Sequence, residues 1–322
     1  MKTILLTPAV LIIMAVPAIA EKTSNLHFEF SHFTKKTGTD TNIFRDGAPG
    51  GTPITHLTSD NAGKASGVGF VVEYKADKLQ FPVSFRAIIS PNQSASLSDP
   101  NYIVSNGGVT VDSADAFGNG LFGPITGLDL SAKFDSSFTS AEVNTQFAKY
   151  RGVAFSAGLK ALRFTDSLEL DLEATPSGFA GTGNLINQRA ANDMVVPQIG
   201  FQMKIPSKNE NFKLEAFGNL GVLRNSVDYS FGSAGYGLAA FSTPGGAVSE
   251  RKSSKVAEVG LKIKYDLGKG SVLKLGTNLI YIDRAATSVA SLATTEFQTA
   301  TASIGYESVL FHAVTIGFEH KF

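Results

Sequence analysis

Cysteine and tryptophan are absent from these 322 residues, the formal net charge is zero, and charged side chains make up only 17 %. Without cysteine there is neither a disulfide framework nor a thiolate metal site. The 28 basic and 28 acidic residues cancel, leaving no basic field for nucleic acid, so no nucleic-acid partner is expected. The charge content lies below the quarter or so usual in soluble domains. After the first twenty residues no run approaches the roughly 18 to 20 consecutive apolar residues that a spanning helix needs.

What is present begins with an address. Met1-Lys2-Thr3 gives a short basic start, Ile4 to Val16 is mostly apolar, and Pro17-Ala18-Ile19-Ala20 supplies an A-x-A cleavage pattern. The expectation is a secretory signal peptide over 1–20 and one mature domain over 21–322. An exported chain without spanning helices either stays dissolved outside the inner membrane or crosses the outer membrane as a barrel. Low charge, with 32 glycines and 24 phenylalanines, favours the barrel.

Apolar residues recur with a period of two. From Leu79 to Ile89 every odd position is apolar, while the even ones are Gln80, Pro82, Ser84, Arg86 and Ile88. Val68, Phe70, Val72 and Tyr74 alternate with Gly69, Val71, Glu73 and Lys75, and Ala257 to Tyr265 alternates with Glu258, Gly260, Lys262 and Lys264. Successive strand side chains point to opposite faces, so one face is oily and the other largely polar. The pattern predicts strands over 26–34, 67–76, 79–89, 128–148, 153–173, 194–205, 212–229, 255–265, 272–284 and 311–322. Whether 128–148 is one strand or two, and what 297–306 forms, is open at this level.

Connections alternate as well. Short polar turns (76–78, 206–211, 266–270) separate long stretches rich in Gly, Ser, Thr and Asn over about 35–66, 90–126, 175–193, 231–254 and 285–309. Outer-membrane barrels have short periplasmic turns and long external loops. The fold class expected is therefore all-β, a transmembrane antiparallel up-and-down barrel of about ten to twelve strands. The closing segment has Val314, Ile316, Phe318 and Phe322 on one face and ends on an aromatic residue, which implies recognition of Phe322 by the barrel-assembly machinery.

Short blocks spread over the mature chain add a resemblance. They are Phe28-Glu29-Phe30 with Pro53-Ile54-Thr55, Thr139 to Asn144, Gly158 to Phe164 with Ser167-Leu168, Asn192-Asp193 through Gly200, Gly221 to Asn225, and Ser308 to His312 with Gly317-Phe318-Glu319. Together they resemble the outer-membrane family called beta-barrel porin 7, which implies a single barrel with a porin role. Asp193-Met194-Val195 departs from that family's L-x-G block.

The five histidines (His27, His32, His56, His312 and His320) show no tight ligand spacing, so no metal is expected. His312 or His320 is a base in search of a serine, but no G-x-S-x-G elbow accompanies either, and no enzyme and no cofactor are expected. Gly47 to Thr52 and Gly118-Asn119-Gly120 read as surface loops rather than phosphate cradles.

The phase that sends Val, Phe and Leu to lipid sends Glu73, Arg86, Glu142, Lys160, Lys204, Glu215, Glu258 and Lys262 to the lumen. On the lipid face a Lys or Arg at the midplane costs roughly 2–4 kcal/mol. These eight are the pore-lining candidates, and they suit a charged constriction or a salt-bridged, filled interior equally. The function expected is passive diffusion of small hydrophilic solutes through an outer-membrane pore of a Gram-negative bacterium. The alternative is a closed structural or adhesive barrel whose external loops bind a surface partner. Outer-membrane lipid is an expected partner in both readings, and a homo-oligomer is compatible with both.

Overall fold

The computed structural model describes residues 24–37, 41–46, 53–57, 65–76, 81–102, 109–111, 125–176, 181–209, 211–232, 235–236, 245–268, 270–288, 292–296 and 299–320. The expected signal peptide and Phe322 lie outside them. Ten long strands carry the fold: β1 (Ser24–Thr37), β2 (Ala65–Ala76), β3 (Val83–Tyr102), β4 (Ile125–Tyr150), β5 (Val153–Pro176), β6 (Gly181–Ile205), β7 (Phe212–Phe231), β8 (Gly246–Gly268), β9 (Ser271–Ala286) and β10 (Tyr306–His320). Each pairs antiparallel with the next, and β10 pairs with β1 to close the ring. Closure leaves no open edge in the main sheet, which is what allows a strand wall to sit in hydrocarbon.

The register fixes the shape. Following direct partners from Lys36 through Leu310, Tyr281, Ala257, Leu220, Ile199, Ala157, Thr145, Val83 and Ala76 returns to β1 at Ser24, twelve residues below the start. A stagger of twelve over ten strands, with 3.3 Å rise and 4.8 Å spacing, tilts the strands by about 40°. The ring is narrow. A two-residue connection joins β4 to β5 through Arg151 and Gly152, both at positive φ (46° and 86°), as a hairpin turn of the right twist requires.

Several strands outrun the sequence expectation. Within the loops placed at 90–126, 175–193 and 231–254, β3 continues to Tyr102, β6 begins at Gly181 and β8 at Gly246. The 128–148 segment is one strand, and 297–306 holds the end of a hairpin (Leu292–Glu296 with Thr299–Ser303) and the start of β10. A three-stranded sheet of Thr41–Asp46, Pro53–Leu57 and Val109–Val111 joins the hairpin among the connections of the loop end.

The reason for the longer strands is a switch in polarity along the wall, clearest on β7. From Phe212 to Val222 the outward positions are Phe212, Leu214, Ala216, Gly218, Leu220 and Val222, while Glu215 and Asn219 are buried inside. Beyond Val222 the outward positions become Arg224, Ser226, Asp228 and Ser230, and the inward ones Leu223, Asn225, Val227 and Tyr229. On β5, Phe155, Ala157, Leu159 and Ala161 give way outside to Arg163, Thr165, Ser167 and Glu169. Eleven residues of apolar exterior on β7 match the nine to eleven a tilted strand needs to cross a bilayer. Above that belt the wall stands in water.

Candidate functional site

Seven of the eight residues expected in the lumen are there, and six of them form one network. Glu258 on β8 accepts from Lys160 on β5, from Arg86 on β3 and from Asn278 Nδ2 at 2.8 Å. Strands β3 and β8 are five apart in a ring of ten, so the Arg86–Glu258 pair crosses the barrel from wall to wall. Glu142 lies 3.3 Å from Lys160 and 3.9 Å from Arg86, and Gln198 Nε2 donates to it at 3.2 Å. Glu73 lies 3.3 Å from Arg86 Nε and pairs with Lys262.

Three acids and three bases thus balance in one connected set. Lys160 and Glu258 are 0 % and 1 % exposed, which removes them from any solvent path. Glu215 sits nearer the turn end, 3.1 Å from Lys264 and 3.2 Å from Gln202. Lys204 departs from expectation. It keeps the inward phase but is exposed, because β6 ends at Ile205 and leaves it at the rim.

Phe217 fills the centre of this layer. The Arg86 guanidinium stands 5.1 Å and the Lys262 ammonium 5.2 Å from its ring centroid, two cation–π contacts on one ring. The ring reaches that position by lying against Gly260, its direct partner on β8, where a Cβ would come within 2.3 Å of Phe217 Cζ. Gly260→Val is expected to push the ring off both cations and lower the unfolding free energy by about 1–3 kcal/mol, measured by urea titration of the refolded barrel. An unchanged midpoint would show that the ring moves without strain.

Above the charged layer lies an apolar one. Phe33, Val71, Ile88, Phe138, Leu162, Met194, Leu223, Val256, Ile280 and Phe311 belong to a single buried cluster with members on all ten strands. Phe164 on β5 and Phe311 on β10, again on opposite walls, have ring centroids 5.2 Å apart, edge to face. Phe138 packs on Phe311 at 4.6 Å. At this height the opposed walls of the ring meet through their side chains.

A third, polar layer lies at the loop end, and sequence reasoning missed it. Asp166 pairs with Lys35 and accepts from the Ser288 hydroxyl at 2.8 Å and the Ser288 N–H at 2.9 Å. Asn192 donates to the Ala286 carbonyl and accepts from the Ala286 N–H, both at 2.8 Å. Tyr229 donates to Gln188 at 2.6 Å. These contacts tie the start of the β9–β10 connection down into the barrel mouth, where Thr287 and Ser288 are fully buried. Asp166 was legible in principle, since it continues the inward phase of Lys160. Lys35 was not, because it falls where the composition reads as loop.

A closed antiparallel ring with an apolar belt outside and its polar groups inside is the architecture that crosses bacterial outer membranes. The chain is a transmembrane β-barrel of that type. It is similar over most of its length to outer-membrane barrels of known structure. The outer membrane protease OmpT from Escherichia coli is 10 % identical, with a TM-score of 0.46, over 93 % of this chain and 96 % of that one. The translocator domain of the autotransporter NalP from Neisseria meningitidis is 12 % identical, with a TM-score of 0.38, over 98 % and 97 %. Ail, the attachment invasion locus protein of Yersinia pestis, is 8 % identical, with a TM-score of 0.23, over 93 % and 97 %. No protein-family model and no curated protein matches the chain, so the likeness to beta-barrel porin 7 is one of short motifs. The fold assignment rests on the strand register itself.

Proposed function

We propose that this chain is a sealed barrel of the Gram-negative outer membrane, with its turns and termini in the periplasm, that presents its loop-end strands as a binding surface outside the cell. The observation that carries this reading is the contact of Phe164 with Phe311 across the lumen, inside an apolar layer built by every strand. Six of the eight charged residues expected to line a pore are paired with one another beneath it. A ten-strand ring lies close to the size at which side chains alone fill the interior. The geometry therefore favours the closed, adhesive alternative over passive diffusion of small hydrophilic solutes.

The exterior surface has its own support. A wall that is polar outside and packed inside projects beyond the lipid on β4 to β7, and such a stiff platform positions loops for recognition. Refolded protein added to a planar lipid bilayer is expected to give no stepwise conductance at moderate voltage. Reproducible steps from correctly folded protein would restore the pore.

A further inference from the structure

The lipid-facing wall is not smooth. A groove of about 770 Å³ crosses β5 to β9, with Ala157, Pro197, Ile199, Leu220, Val222 and Ala257 among its lining. The row at this height sets two alanines among larger side chains: Ala157, Ile199, Leu220, Ala257 and Tyr281 are successive direct partners. A ladder breaks beside it. Between β6 and β7 the pairing runs to Gly221↔Gln198 and resumes only at Arg224↔Val195, skipping Pro197, which has no N–H to give. On the other side Pro197 keeps its partner Leu159.

The upper rim is basic. Lys255 lines the groove directly, opposite Val222, and Arg224 lies one pair higher on β7, a diagonal neighbour about 7–8 Å away on the same face. Both are exposed, and neither is ion-paired to a described residue. Asp283 is the acid at that rim, and its carboxylate is turned onto the Lys255 N–H at 2.6 Å and the Ser254 hydroxyl at 2.9 Å. Arg163, higher still on β5, is already held 3.6 Å from Asp193. So the two cations stand where the apolar belt ends, directly over an apolar trough.

We propose that this groove seats one membrane lipid of the outer leaflet with a net anionic phosphate headgroup, its chain along Ala157 to Ala257 and its phosphate on Lys255 and Arg224. The site rests on the barrel lying in lipid with its loops outward, and not on whether the lumen conducts. A zwitterionic lipid offers the same chains, but its ammonium meets the same two cations.

The absence of native tryptophan makes the test clean. Tyr281→Trp places one fluorophore at the groove, and Phe70→Trp places one on β2, five strands from β7, in the same belt. Each is refolded into phosphatidylcholine vesicles containing brominated phosphatidylglycerol, and quenching is read against mole fraction. Around the groove fluorophore the anionic lipid should be enriched over its mole fraction, and around the β2 fluorophore it should follow bulk composition. Arg224→Glu and Lys255→Glu, each made in the Tyr281→Trp background, should cut the preference about five-fold per cation. Lys255→Gln serves where a reversal perturbs folding, and Ala257→Phe should remove enrichment by filling the trough. Equal quenching at both positions, or equal enrichment of brominated phosphatidylcholine at the groove, would overturn the proposal. A conductance trace, whatever its outcome, leaves this result untouched.

Discussion

Glu258→Gln is expected to lower the unfolding free energy of the barrel by about 3–5 kcal/mol, the usual cost of breaking a buried pair by removing one partner. The carboxylate is the shared acceptor of Arg86, Lys160 and Asn278. Its loss leaves three bases facing two acids among buried groups. The sign of a second substitution separates charge balance from packing. Adding Lys160→Met to Glu258→Gln leaves Arg86 and Lys262 facing Glu73 and Glu142, a balanced set again, and should recover more than half of the loss. If the double variant is less stable than the single one, Lys160 contributes through packing of its stem, and charge balance is not what holds this layer. Urea midpoints in vesicles, with circular dichroism to confirm strand content, give both numbers.

The second large effect lies one layer up. Phe311→Ala removes a ring that packs on Phe138 and Phe164 at the centre of the apolar cluster, and should cost about 3–5 kcal/mol. On the sealed reading the charged network is a second barrier, so the same variant should still be silent in a planar bilayer. Currents from Phe311→Ala would mean that the aromatic layer is the sole barrier, with the ion pairs beneath it already wet.

Much of the barrel was readable from alternation alone. The inward phase of Glu73, Arg86, Glu142, Lys160, Glu215, Glu258 and Lys262 follows from a period of two, because a one-residue slip would turn every one of them into lipid. Their pairing was not readable. Arg86 and Glu258 are 172 residues apart and meet only because a ring of ten sets β3 against β8. A count of nine or eleven would have faced Arg86 with something else.

The loop-end half of the wall was hidden for a different reason. Beyond Val222 or Ala161 the strand still alternates, but outward residues such as Arg224, Asp228 and Arg163 carry charge and inward ones such as Asn225 and Asp166 are polar too. Composition there resembles a loop, and the apolar inward partners Leu223, Val227 and Phe164 look like interruptions rather than a face. The polarity switch is legible only once the bilayer boundary is known.

The seam between β1 and β10 has a consequence for how the ring is made. Every other ladder of the ring joins consecutive strands across a single connection, whereas Lys36↔Leu310 joins residues about 270 apart, a closure that costs about 5 kcal/mol of chain entropy before any contact offsets it. Hairpins can zip in order from either terminus, but the last ladder must wait for nearly the whole polypeptide. Until it forms, the immature sheet carries two raw flanks with unmatched N–H and C=O groups, each able to recruit a foreign strand. The order of folding is therefore set by when those two flanks meet.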